Sequence, residues 1–284
     1  STTMTFIPET KQLAQLDSLQ DVMYITDPES GQSHPLGDPA SLNNSFSYPT
    51  DIAYDLINNQ FLAVDFNGYL YAIDGVTGVG RTLASGRGAE SSVAFVQPHA
   101  VTVDSDNNRA LILDCCSRLV SADLRFGTLE SITYNSGGVT NGNGMVLDKE
   151  NNRTLFVESG YPGVVPPSLR AIDLETGGVS LISNANFPDS MNAFKEPEDL
   201  ALYKNNALVI DRETQSLYKV DLTHGTRTIL SNGDSPNSYN LFMNPTQMEV
   251  DSDLDRAYVI DSANGKIVAV DLITGERVHI SPER

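Results

Sequence analysis

Several things are scarce in this 284-residue chain, and each absence removes a class of protein. There are only two cysteines, and they are neighbours, Cys115 and Cys116. That rules out a disulfide framework and any C-x-x-C metal spacing, and adjacent cysteines are read as two thiols. Tryptophan is absent. Lysine and arginine total 18 against 37 aspartates and glutamates, a formal net charge of −19. A general nucleic-acid binder needs a basic surface, so nucleic acid is not an expected partner. No apolar run approaches the length of about 18 residues that a membrane span requires. There is no G-x-S-x-G nucleophile elbow. The run "GNGMV" (Gly142–Val146) is glycine-rich but no helix follows it, so it is not a phosphate loop.

What is abundant is a repeat. The pattern Asp-x-x-x-Gly occurs at Asp27–Gly31, Asp74–Gly78, Asp123–Gly127, Asp173–Gly177, Asp221–Gly225 and Asp271–Gly275, in steps of 47, 49, 50, 48 and 50 residues. A period of this size marks a repeat architecture. One full copy, "PHAVTVDSDNNRALILDCCSRLVSADLRFGTLESITY" (Pro98–Tyr134), holds four short aliphatic and β-branched runs, "AVTV", "ALIL", "LVSA" and "LESITY". Turn residues separate them, and the gaps are too short for helices, so the copy reads as a four-stranded antiparallel meander, A to D. The aspartate caps turn amides and the glycine supplies a positive φ, so each Asp-x-x-x-Gly closes a C–D hairpin.

Six four-stranded repeats of this length predict one all-β domain over residues 1–284, a six-bladed β-propeller. Its blades are expected at about 1–48, 49–97, 98–141, 142–196, 197–244 and 245–284. The first blade matches least well, and the last has all four strands of its own, so no blade should mix strands from the two termini. A second motif, Phe-x-x-Pro, precedes strand A at Phe46–Pro49, Phe95–Pro98, Phe194–Pro197 and Phe242–Pro245. The phenylalanine is expected to pack between blades, and the proline to set the direction in which strand A starts.

Two sets of polar side chains then fall at equivalent levels. At the start of strand A stand Thr50, His99, Asn143, Glu198 and Thr246, with Thr2 in the first blade; the next position adds Asp51, Asp199 and Gln247. At the end of strand B stand Asp17, Asp65, Asp114, Glu158, Asp211 and Asp261. In a propeller these levels lie toward the face where ligands usually bind. Carboxylates there are suited to hard cations such as calcium, and His99 to zinc or another transition metal. The second set has an equally direct role in capping turn amides. "DSDNN" (Asp104–Asn108) and "DSDLD" (Asp251–Asp255) begin like calcium loops, but they lack the later Gly and Glu and are read as A–B turns. The proline-stiffened loop "SGYPGVVPPS" (Ser159–Ser168) lengthens one B–C turn and overhangs the same face.

"NGMVLDKENNRTLFVES" (Asn143–Ser159) and "PEDLALYKNNALVID" (Pro197–Asp211) resemble the Asn-Gly and Pro-Asp-Gly strands of the NHL-repeat and SMP-30/gluconolactonase/strictosidine synthase-like superfamily of six-bladed propellers. The resemblance implies a divalent metal (calcium, or zinc or manganese) at the channel mouth, with no organic cofactor. In lactonase-type members Glu, Asn and Asp hold that metal. By position Asn143 corresponds to the Asn, and Glu198 stands for the Asp, longer but still a carboxylate. The first Glu has no match; Glu9 is nearby but lies past strand A. His99 is outside that triad, although lyases of NHL type use channel histidines with zinc.

Two functions follow as expectations. One is a metal-dependent hydrolase of a small lactone or ester, with metal at Asn143, Glu198 and His99 and with His99 or Asp199 as acid–base group. The other is a non-catalytic propeller that binds a glycan, peptide or protein through its loop face. Ser1 in first position fits either a trimmed chain or a mature protein whose leader is gone, and the acidic balance fits a secreted, periplasmic or cell-surface setting; a monomer is expected.

Overall fold

A computed structural model describes residues 2–17, 22–37, 48–86, 93–115, 118–133, 142–263 and 265–280. The fold is an all-β six-bladed β-propeller. Each blade is a four-stranded antiparallel sheet built from consecutive chain, the first and last included. Blade 1 holds Thr2–Ile7, Gln12–Asp17, Val22–Thr26 and Ser33–Pro35, and blade 2 holds Pro49–Asp55, Gln60–Asp65, Tyr69–Asp74 and Gly80–Ser85. Blade 3 holds Ala100–Asp104, Arg109–Asp114, Arg118–Asp123 and Leu129–Ser131. Blade 4 comprises Gly142–Asp148, Arg153–Glu158, Ser168–Asp173 and Val179–Asn184. Blade 5 comprises Pro197–Tyr203, Asn206–Asp211, Ser216–Asp221 and Arg227–Ser231, and blade 6 Pro245–Asp251, Arg256–Asp261, Lys266–Asp271 and Arg277–Ile280.

The chain divides into two compact units, one of Ser1–Gly138, Leu174–Gly178 and Glu283–Arg284, the other of Val139–Asp173 and Val179–Pro282. In the first unit one apolar cluster joins blades 1 and 2 through Leu16, Met23, Phe61 and Ile73, and another joins blades 2 and 3 through Leu62, Leu70, Ile112 and Val120. In the second unit Leu155, Val157, Val209 and Val220 join blades 4 and 5, and Leu208, Ile210, Val259 and Val268 join blades 5 and 6. Strands B and C carry these residues on both faces, as expected for a sheet sandwiched between neighbours. Phe95, Phe194 and Phe242 of the Phe-x-x-Pro motif are buried in these inter-blade clusters. Phe46 lies outside the described residues, as does Cys116.

The Asp-x-x-x-Gly segments are the C–D turns, and all six glycines have positive φ, between 68° and 78°. The aspartate Oδ1 accepts the next amides but one and two, as at Asp271, which takes Ile273 N at 2.8 Å and Thr274 N at 2.7 Å. These bonds hold the Asp271 carboxyl below its ordinary range, the Thr274 amide contributing most. The glycine has a second function. A Cβ on Gly127, Gly225 or Gly275 would lie within 2.3 Å of a carbonyl on strand D of the preceding blade, at Leu83, Ile182 and Leu230 respectively. The periodic turn is therefore also an inter-blade contact.

One strand is shorter than its sequence pattern. "LESITY" pairs only over Leu129–Ser131. Beyond that, Ile132 N and Thr133 N both donate to Leu119 O, and Thr133 Oγ1 accepts Leu119 N, which ends the ladder. Two A–B turns, Ser105–Asn107 and Lys149–Asn151, wind into single 3-10 turns.

Gly275→Ala combines a left-handed φ with a backbone collision. It should lower stability by about 3 kcal/mol or more, against about 1 kcal/mol for Gly265→Ala, whose Cβ would meet open space. The urea midpoints of the two variants measure the difference.

Candidate functional site: the loop end of the blades

Strands alternate in direction, so B–C turns and D–A loops emerge at one end of every blade and A–B and C–D turns at the other. The first set of candidate residues begins strand A at that loop end. In blades 2, 5 and 6 the strand A ladder skips one residue after its proline: Pro49, Pro197 and Pro245 pair with Asp65, Asp211 and Asp261, and pairing resumes at Asp51, Asp199 and Gln247. Thr50, Glu198 and Thr246 are the bulged residues. A bulge re-aims its side chain out of the sheet register.

These side chains stitch blade 2 to blade 3, blade 4 to blade 5 and blade 5 to blade 6. In the first unit Thr50 Oγ1 donates to Pro98 O at 3.0 Å, and Asp51 Oδ2 accepts Val101 N at 2.9 Å. In the second unit Asn143 Nδ2 donates to Pro197 O and to Ser159 Oγ, both at 2.7 Å. Asp199 Oδ2 accepts Met248 N at 2.8 Å, and its Oδ1 accepts Leu200 N at 2.8 Å. Gly144 lies so close to Asp199 that a Cβ would meet its Oδ1 at 2.1 Å, which accounts for the glycine of the Asn-Gly motif.

Glu198 is half-buried, with its Oε1 2.9 Å from Arg212 Nε. Burial raises its carboxyl pKa, and Arg212 pulls the other way. Arg212 also ion-pairs with Glu196 through Nη2. His99 belongs to the first unit. Its backbone N donates to Leu113 O at 2.8 Å, and its Nε2 is sealed from solvent with no hydrogen-bond partner.

In the second set, at the end of strand B, Asp114, Asp211 and Asp261 clasp the loop that enters their blade, while Asp65 and Glu158 bind their own blade's B–C turn and strand C. Asp114 accepts Val96 N at 3.0 Å and Gln97 N at 2.6 Å and ion-pairs with Arg118. Asp211 accepts Lys195 N at 2.7 Å and Glu196 N at 3.0 Å, and Asp261 accepts Met243 N at 2.6 Å and Asn244 N at 2.9 Å. Asp65 takes Asn67 N and Tyr69 N and, at 3.1 Å, the Tyr71 hydroxyl, and Glu158 takes Ser168 Oγ and Arg170. Burial and then Asp65 push the Tyr71 phenol well above its ordinary value. Among the described residues no group of three or more His, Cys, Asp or Glu is placed to hold a metal.

The sequence reading missed two arginines that organise the D–A loops of the second unit. Each stands two residues past a turn glycine. Arg227 Nη1 donates to Ser183 Oγ, Asn184 O and Phe187 O, Nη2 to Asp189 O and Met191 O, and Nε to Met191 O and Asn192 O. Arg277 repeats this with Ser231 Oγ and the carbonyls of Asn232, Ser235, Asn237, Tyr239 and Asn240. Each guanidinium also lies 5.6 Å from the ring centre of a motif phenylalanine, Phe194 or Phe242. A buried guanidinium needs all five N–H groups satisfied, and the loop carbonyls supply the acceptors. The signal was available in the chain. Ser183–Pro197 and Ser231–Pro245 share the pattern S-N-x-x-x-P-x-S-x-N-x-F-x-x-P.

Around these fixed loops large apolar side chains face solvent: Phe187, Met191, Tyr239 and Met243 on the D–A loops, with Tyr161 and Val164 on the lengthened B–C turn of blade 4. That turn is a small hairpin in its own right, closed by Tyr161 N to Val165 O at 2.8 Å and Val165 N to Tyr161 O at 2.9 Å.

No family model matches the chain, and no curated protein matches it. Solved structures do. A chain from a nidogen/laminin complex superposes with a TM-score of 0.69 at 11% identity, covering 98% of this chain and 91% of that one. A structural-genomics protein of unknown function from Bacteroides thetaiotaomicron VPI-5482 gives a TM-score of 0.65 at 10% identity, covering 90% of this chain and 65% of the other. At these identities the likeness is one of fold alone.

Burial holds the His99 pKa below its ordinary 6.5, against the opposing field of Asp114. The unfolded chain therefore takes up the proton first as pH falls. The stability that neutral His99 contributes is complete above about pH 6.5 and is lost as pH drops toward the lower folded-state value. His99→Gln should flatten the fall in melting temperature between about pH 7 and pH 5. An unchanged pH profile would contradict this.

Proposed function

We propose that the chain is a non-catalytic binding propeller that engages a protein partner through the loop end of its second unit. The observation that carries this is the set of large apolar side chains held in solvent on loops whose backbone is fixed by buried guanidinium groups. Exposed apolar patches on soluble proteins mark interaction sites, and a loop ordered in advance loses less entropy on binding. The similar chain from a nidogen/laminin complex supports partner binding as a use to which this fold is put.

The hydrolase expectation fares less well on donor chemistry. A divalent cation at Asn143 and Glu198 would have to displace the Arg212 guanidinium from the carboxylate it needs. Asp199, the acid–base candidate beside it, already gives both oxygens to backbone amides. Asn143, anchored through Nδ2 to Pro197 O and Ser159 Oγ, would meet a metal through Oδ1, so the misfit lies at Glu198 and Asp199. These residues do not fit a divalent metal, and no hydrolytic step is derived through one.

Two measurements test this reading. The melting temperature should be unmoved by millimolar calcium, zinc or manganese; a rise that disappears in Asn143→Ala and Glu198→Ala would return the metal reading. Selection of a displayed random-peptide library on the immobilised chain should yield binders that compete with one another and are lost when Tyr161, Met191 and Tyr239 are all changed to serine. No binders, or binders indifferent to those changes, would overturn the proposal.

A further inference from the structure

The two arginine-held loops are an internal duplication, and comparing them separates frame from surface. The positions common to both do structural work. Ser183 and Ser231 accept from the arginine and donate to Gly225 O and Gly275 O, both at 2.7 Å. Asn184 and Asn232 accept loop amides through their side chains, at Asn186 N and at Asp234 N and Ser235 N. Asn192 and Asn240 donate Nδ2 to Arg227 O and Arg277 O. Phe194 and Phe242 lie against the guanidinium groups.

Of the positions that differ, some still hold the loop, as Asp189 and Asn237 do by accepting the amides of Met191 and Tyr239, but the most exposed apolar side chains are equivalent and make no such bond: Met191 in one loop and Tyr239 in the other, 69% and 73% exposed. An apolar side chain kept in water at the same place in both copies, on a backbone that six guanidinium hydrogen bonds hold, has no structural task. Tyr and Met are also side-chain types suited to binding surfaces: a rigid amphipathic ring and an adaptable thioether.

Charge sets the other half of the partner's chemistry. Within the loops Arg227 and Arg212 pair with Asp189 and Glu196, so the negative field comes from the surrounding unit: residues 139–173 and 179–282 carry 19 Asp and Glu against 11 Lys and Arg, a net charge of −8, and the whole chain carries −19. A field of that sign speeds the approach of a cationic partner and repels an acidic one.

Resting on the reading of the loop end as a protein-binding surface, we infer that these loops are a matched pair of recognition arms. Met191 and Tyr239 are the contact residues, and the occupant is a polypeptide segment with apolar side chains flanked by Lys and Arg.

The test uses the full chain and synthetic peptides from the library selection. Peptides should be enriched in Lys and Arg beside apolar residues. Their affinity, read by fluorescence anisotropy, should fall about tenfold or more in the double variant Met191→Ser/Tyr239→Ser. Met191→Leu should restore most of the loss at that position, and Ile57→Ser, an exposed change in the A–B turn of blade 2 in the first unit, should leave affinity unchanged. Raising NaCl from about 50 to about 500 mM should weaken binding several-fold, since the Debye length shortens to a few ångströms. Both arms are surface changes, and an unaltered melting curve shows that each variant is folded. Peptides that bind but are acidic, salt-insensitive or indifferent to the double variant overturn this inference while leaving the binding reading intact. Absence of any binder overturns both.

Discussion

The glycine of each Asp-x-x-x-Gly turn is the constraint on which the architecture depends. It adopts a left-handed φ that side-chain-bearing residues rarely take, and at Gly127, Gly225 and Gly275 its bare Cα faces a carbonyl of the preceding blade's outer strand. One residue therefore closes a hairpin and sets the distance between two sheets. The aspartate at the turn's start holds the same loop through Oδ1, and this places strand D of one blade against the turn of the next. In blades 5 and 6 the chain adds an arginine two residues beyond that glycine. The inter-blade contact then extends into the loop above it, because Ser183 and Ser231 bond both to the arginine and to the glycine carbonyl.

Much of this was legible in the sequence because it is local. A turn of five residues, four short apolar runs and a recurring Phe-x-x-Pro are patterns confined to short windows, and the strands fall where those patterns put them. The exception, "LESITY", fails for a reason equally local, a side-chain acceptor on Thr133 that takes the amide of Leu119. The stitches were not legible. Thr50 to Pro98 and Asn143 to Pro197 join residues 48 and 54 apart, and a polar residue at the start of strand A gives no sign of whether it faces a ligand or the neighbouring backbone. The arginines were overlooked because a single Arg after a turn is ordinarily solvated. Only the duplicated loop pattern, set beside Arg227 and Arg277, shows that thirteen intervening residues are wrapped on one side chain.

This division bears on function. The carboxylates that invited a metal are occupied by amides and guanidinium groups: Asp199 by Leu200 and Met248, Asp211 and Asp261 by incoming loops, Glu198 by Arg212. The polar inventory of the loop end is spent on holding its own backbone. The large apolar side chains that these loops expose are Phe187, Met191, Tyr239 and Met243. A rigid polar frame that displays a few large side chains matches the needs of recognition, where order before binding matters more than reactive groups.

The central claim is that buried guanidinium groups fix these loops before any partner arrives. Amide hydrogen exchange of the unliganded chain tests it directly. The account predicts slow exchange across residues 184–196 and 232–244, and predicts that Arg277→Met releases 232–244 while leaving 184–196 protected. Exchange at free-peptide rates in both loops of the unaltered chain would contradict it.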